Sequence, residues 1–157
     1  GNAVDASSFL NNGVSQGNPS FVPDEQGAAN EAIFFNGATD WVNFGDDPSV
    51  RFSSQESFTL NVDARPLKPL SGSLSGAYGN MLRYDDFDLS AGDEAQSRGV
   101  MLFRLRYYNS GFRVEFAVGQ GPSTYSTLLS NELSYDAWYR FTAVRNVAKD
   151  SMYIYVN

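Results

Sequence analysis

Between Tyr84 and Glu94 the chain reads Tyr84-Asp85-Asp86-Phe87-Asp88-Leu89-Ser90-Ala91-Gly92-Asp93-Glu94, its densest run of hard oxygen donors. Calcium takes roughly six to eight oxygens in flexible geometry, and closely spaced carboxylates with loop carbonyls can supply them. Asp86-x-Asp88-x-Ser90 has the alternate spacing of a calcium loop, yet Gly92 falls one position late for an EF-hand and Ser97 stands where its final Glu belongs. The EF-hand reading therefore fails. Asp85, Asp86, Asp88 and Asp93 stand as candidate calcium ligands, beside the plainer reading of a solvated acidic loop. Asp5 with Asn11 forms a second candidate, whose alternative is an Asx turn. Asp46-Asp47-Pro48 reads as a turn between strands.

Aromatic side chains are the other chemical resource. Sugar rings present apolar C–H faces that stack on Trp and Tyr, while their hydroxyls bond to Asp, Asn and Arg. Tyr107, Tyr108, Tyr125, Tyr135, Tyr153 and Tyr155 include several that strand alternation cannot all place in a core. An exposed aromatic patch marks an interaction surface. Tyr107, Tyr108 and Tyr125, with the outward-facing Arg104, are the candidate ligand-binding residues.

The absences restrict the chemistry further. No His and no Cys occur, which closes Ser-His-Asp hydrolysis, imidazole zinc sites, thiolate sites and disulfides to this chain alone. The net charge is -7 and the sequence pI about 4.4, so a phosphate backbone is repelled and nucleic acid is not expected as a partner. Nine of the eleven basic residues are Arg. No apolar run reaches the roughly 20 residues a membrane-spanning helix needs, so no membrane insertion is expected. The leading Gly1-Asn2 carries no signal-peptide pattern.

These groups must be held by strands. Ser57 to Asp63 alternates strictly, with Phe58, Leu60 and Val62 on one face. Gly99 to Tyr107 sets Met101, Phe103, Leu105 and Tyr107 against Arg104 and Arg106. Tyr108-Asn-Ser-Gly111 makes a hairpin turn into Phe112 to Val118, whose Phe112, Val114, Phe116 and Val118 face inward. Shorter runs at Ala32 to Phe35, Trp41 to Phe44, Gly79 to Tyr84 and Tyr125 to Leu129 complete the set, after a loop-dominated lead-in over residues 1 to 31. At 157 residues with 15% aromatics and 14 Gly, the chain is expected to form one all-β domain over 1–157. Its period-2 pattern predicts an antiparallel sandwich.

The C-terminal stretch carries the most specific pattern. Asp136-Ala-Trp138-Tyr-Arg-Phe141-Thr-Ala-Val144-Arg leads through a polar link to Ser151-Met-Tyr153-Ile-Tyr155-Val-Asn157. This pair resembles the signature of laminin-G-like domains in the concanavalin A-like lectin/glucanase superfamily, where the second strand ends in Tyr-Val-Asn-Gly. Ala32-Ile-Phe-Phe35-Asn-Gly37, Trp41-Val-Asn-Phe44, Ser57-Phe58-Thr59-Leu60 and Asp5 before Asn11-Asn12-Gly13 are similar to further family motifs, in the same order. The acidic stretch from Asp85 to Arg98 departs from the family pattern.

The resemblance implies a jelly-roll sandwich, with Trp41 and Trp138 at core positions and further strands after Asn157 that this chain lacks. It implies a non-catalytic lectin or adhesion module of a larger secreted or cell-surface protein. Its partners would be a glycan or cell-surface carbohydrate and the neighbouring domains, and calcium its cofactor. A spacer domain without a ligand is the alternative. The superfamily also contains glucanases, whose paired carboxylates sit about 5–5.5 Å apart in retaining enzymes. The Glu residues here, at 25, 31, 56, 94, 115 and 132, never fall two to a strand. Catalysis is not expected, and Glu115 between two outward positions is expected to pair with a cation.

Overall fold

The computed structural model describes residues 2–45, 47–50, 56–69, 77–85, 100–119 and 125–157, without the side chains of Asp85, Val100 and Tyr125. The described secondary structure is β-strand apart from one 3-10 turn at Pro48–Val50, and every strand pairing is antiparallel. The all-β, antiparallel class predicted by alternation is what forms. The chain divides into two compact units, Gly1–Arg51 and Phe52–Asn157.

The first unit contains β1 (Val14–Gln16), β2 (Ser20–Val22), β3 (Ala32–Phe34) and β4 (Trp41–Asn43). Strand β1 pairs with β4, and β2 with β3, so one hairpin nests inside another. Short polar side chains fix the bends between them. Asp24 accepts the Gln26 and Ala28 amides, Asn36 accepts those of Ala38 and Thr39, and Asp40 accepts those of Asn18 and Asn36. These are local Asx-type closures that the Asn- and Asp-rich sequence makes available. Gly13 has no Cβ for a physical reason: one placed there would collide with the Val42 side chain.

No described residue of this unit is buried. Trp41, expected at a core position, is 53% exposed, and Phe9, Val14, Phe34, Phe35 and Phe44 are exposed with it. Each sheet here has two strands, and a two-stranded ribbon cannot enclose an indole without a further layer.

The second unit holds β5 (Phe58–Ala64), β6 (Tyr78–Asp85), β7 (Val100–Tyr107), β8 (Phe112–Gly119), β9 (Tyr125–Leu129), β10 (Tyr139–Asn146) and β11 (Ser151–Val156). Strands β6-β7-β8-β9 form a meander, and β11-β10-β5 a three-stranded sheet. Their inner faces make a common core. Leu60, Phe141 and Ala143 come from the smaller sheet; Met101, Phe103, Leu105, Phe112, Val114, Phe116 and Val118 come from the larger. Phe112 meets Phe141 edge-to-face across the layers at 6.2 Å, and Phe58 meets Phe116 at 6.1 Å. Such pairs add about 0.5–1.5 kcal/mol beyond the apolar area they bury. Two facing antiparallel sheets with this shared interior are a β-sandwich.

The alternation readings hold for Leu60, Met101, Phe103, Leu105, Phe112, Val114, Phe116 and Val118, all buried. Phe58, Val62 and Ile154, on the outermost strands β5 and β11, also pack on this core but are half-buried. One irregularity matters for the surface. A bulge between Asn80 and Leu82 inserts an extra residue in β6, which reverses its facing. Tyr78 and Asn80 therefore lie opposite the outward Arg106 and Arg104, whereas Leu82 and Tyr84 lie opposite the buried Phe103 and Met101.

Candidate functional site

The residues expected to bind a ligand do not gather at one place. Tyr107 is half-buried on the inner side of β7, its ring 6.4 Å from that of Tyr135. Gly79 leaves room for it, since a Cβ there would collide with the Tyr107 hydroxyl. Burial first, and the neighbouring Tyr135 second, push the Tyr107 hydroxyl above the ordinary tyrosine pKa. Tyr108 lies in the β7–β8 turn, where its amide donates to the Gly111 carbonyl and its own carbonyl accepts the Tyr135 hydroxyl at 2.7 Å. Tyr125 opens β9.

Arg104 faces outward as alternation requires, and Glu115 is its cross-strand neighbour. Both Nε and Nη2 of Arg104 donate to Glu115 Oε1, and the guanidinium lies 3.8 Å from the centre of the Tyr78 ring. The predicted ion pair of Glu115 is therefore present, and it occupies the guanidinium edge that a ligand would use.

Of the acidic candidates, Asp85 ends β6, and Asp86, Asp88 and Asp93 lie outside the described residues. Asp5 and Asn11 are brought together. The Asp5 carboxylate accepts the Ser7 amide at 2.7 Å, the Ser7 hydroxyl at 2.7 Å and the Asn11 amide at 2.8 Å. The Ser7 contacts, followed by that of Asn11, hold its pKa below the usual carboxylate value. The Asn11 side chain donates to Ser49 Oγ, and Ser49 in turn donates to Asp47. This is the Asx-turn arrangement, with both Asp5 oxygens already engaged. Among the described residues no cluster of three or more acidic side chains is arranged to hold a metal ion.

A surface that the strand pattern did not single out emerges on the outer face of the β11-β10-β5 sheet. Register sets Tyr155 beside Thr142 and Thr142 beside Asn61; the adjacent row is Tyr153, Val144 and Thr59. Tyr153 donates its hydroxyl to Ser151 Oγ two residues back at 3.1 Å, so its ring lies along the strand instead of standing off the sheet. The Tyr155 ring is tilted only 17° from it, with centroids 6.2 Å apart. Tyr155 is 55% exposed and Tyr153 36%.

Polar groups border this pair. Thr142 Oγ1 donates to Asn61 Oδ1 at 2.7 Å, and Arg140 clasps Asp63 through two bonds of 2.7 Å. The Arg140 hydrogen bonds lower the Asp63 pKa. A shallow depression of about 230 Å³ lies between the start of β5 and the end of β10, its lining including Ser57, Thr59, Val144 and Asn146. Tyr153 and Tyr155 belong to the six tyrosines that alternation could not all place in a core, but the candidate ligand residues were Tyr107, Tyr108 and Tyr125. What strand alternation alone did not supply was the shared tilt of Tyr153 and Tyr155 and the Thr142–Asn61 row beside them.

No family model, no curated protein and no solved structure matches the chain.

Proposed function

We propose that this chain is a non-catalytic carbohydrate-binding or adhesion module of a secreted or cell-surface protein, built on a concanavalin A-like, laminin-G-like jelly roll. The observation that carries the reading is the near-parallel, solvent-facing pair Tyr153 and Tyr155 on an outer sheet face. Two rings of nearly common tilt offer an apolar strip to the C–H face of a sugar. Asn61, Thr142 and the Arg140–Asp63 pair stand at its border as hydrogen-bonding groups for hydroxyls. Apolar rings with a few fixed polar partners are the usual composition of a small-ligand surface. Tyr108 remains a second aromatic contact, on the turn after β7. Calcium belongs to this proposal as a cofactor of the acidic stretch at 85–94.

The test is glycan-array binding of the chain, repeated with Tyr153→Ala and Tyr155→Ala and with chelator. Binding to a defined glycan class that falls at least about tenfold in either variant, a loss of about 1.4 kcal/mol, supports the reading. Binding that is unchanged in both variants places the site elsewhere.

A spacer role is the second reading, favoured by the apolar side chains of the first unit. Val4, Phe9, Leu10, Val14 and Trp41 are each more than half exposed, more apolar surface than a small unit normally leaves uncovered. An empty array in both calcium and chelator favours the spacer.

A further inference from the structure

On the outer face of the β6–β9 sheet, three guanidinium groups stand around the Glu115 carboxylate among the described side chains. Arg104 lies opposite Glu115 and Arg106 lies opposite Arg113. Glu115 is 3% exposed, and its Oε1 is taken by Arg104. Its Oε2 is 4.0 Å from Arg106 Nη1, beyond hydrogen-bond reach. Arg113 has no carboxylate partner among the described residues; its guanidinium rests 5.6 Å from the Tyr108 ring centre. The Nε atoms of both Arg106 and Arg113 are buried without a hydrogen-bond acceptor among the described residues.

Like charges directly opposite one another destabilise a sheet. An oxyanion from outside relieves the like-charge pair, reaching the guanidinium ends and not the buried Nε atoms. Among the described side chains around Glu115, three arginines stand against one glutamate, on a chain whose net charge is -7. The surplus is therefore local. Guanidinium forks match carboxylate and sulfate oxygens two at a time.

We propose that Arg106 and Arg113 bind the oxyanion of an acidic glycan, a uronate carboxylate or a sulfate ester, with Tyr108 and Tyr78 flanking the sugar. The choice of a glycan over an acidic peptide rests on the carbohydrate-binding reading above. The anion site itself rests on the arginine pair alone. Arg104 is not its ligand, because Glu115 already holds it. The site lies on a different sheet from Tyr153 and Tyr155.

Titration calorimetry with an oligogalacturonate, its carboxyl-reduced counterpart and a sulfated oligosaccharide tests the proposal on the unaltered chain. The expected result is binding of one or both anionic oligomers, none of the reduced oligomer, and weakening as salt rises. Arg106→Gln and Arg113→Gln should each weaken anionic binding at least tenfold; Arg113→Lys, which keeps the charge and the fold, should weaken it less than Arg113→Gln. Tyr155→Ala should leave anionic binding intact while abolishing neutral-glycan binding, so the two readings fail separately. Absence of anionic binding, equal binding of the reduced oligomer, or indifference to both Gln variants overturns the proposal.

Discussion

Arg104 on β7 and Glu115 on β8 are directly opposed across the sheet, with both guanidinium donors directed to one carboxylate oxygen. Glu115 is 3% exposed and the Arg104 side chain 18%, so the pair is largely shielded from water. Removing one partner of a buried pair leaves the other charged and unpaired, at a cost near 3–5 kcal/mol. Glu115→Ala is therefore expected to lower unfolding stability by about 3 kcal/mol, measured by urea denaturation. A loss below about 1 kcal/mol would mean that solvent already screens the pair.

Phe112 is fully buried where the rings of Tyr135, Tyr139 and Phe141 converge at 5.6, 5.8 and 6.2 Å. Phe112→Ala should cost about 3–5 kcal/mol, through lost burial and the cavity left behind. Tyr155→Ala, on an exposed face, should change stability by no more than about 0.5 kcal/mol. Comparable losses in the two variants would contradict the assignment of inside and outside.

Acid should destabilise the chain only at low pH. Asp5, Asp40 and Asp63 all have folded pKa values below the ordinary 3.8. The causes are hydrogen bonds from Ser7, from the Asn18 amide and from Arg140, in that order. The unfolded chain therefore takes up protons first on acidification, and their contribution is complete above the unfolded value and lost as pH falls through the folded ones. With no His in the sequence, the midpoint should be flat near neutrality and fall below about pH 4. Asp63→Asn should shrink that fall in a melting series; a midpoint that drops between pH 7 and 5 would contradict the account.

At the alkaline end the signs reverse. Burial, as the largest cause, raises the folded pKa of both Tyr107 and Tyr135 above the ordinary 10.0. For a neutral acid held in its protonated form, the stabilisation is present below the unfolded value and lost as pH rises through the folded one. Tyr107→Phe should therefore be more resistant to unfolding above pH 10 than the parent chain, measured by near-ultraviolet dichroism. Equal alkaline midpoints would show that Tyr107 ionises without opening the core.

Calcium is tested by melting in excess calcium and in chelator. Binding at a hundredfold excess over Kd should stabilise the folded chain by about 2.7 kcal/mol. Asp86→Asn and Asp88→Asn should remove that shift. Equal midpoints in calcium and chelator assign the stretch at 85–94 to a solvated loop.

The sequence by itself determined the strand set of the second unit and the inward side of β5, β7 and β8. Leu60, Phe103, Val114 and Phe116 are legible because a pleated strand buried on one face must alternate, and alternation survives without knowledge of any partner strand. The Asx turn at Asp5 was legible as one of two readings for the same reason: its bonds span only a few residues. Tertiary structure decided what depends on the neighbour across the sheet. The Tyr78 ring meets the Arg104 guanidinium only because a bulge reverses β6, and register sets Arg106 opposite Arg113, whose Nε has no acceptor among the described residues. Trp41 carries a core-like motif yet remains exposed, since burial of an indole needs a covering layer. A local pattern specifies which way a side chain points; the surface it meets there is set by register and by strands distant in sequence.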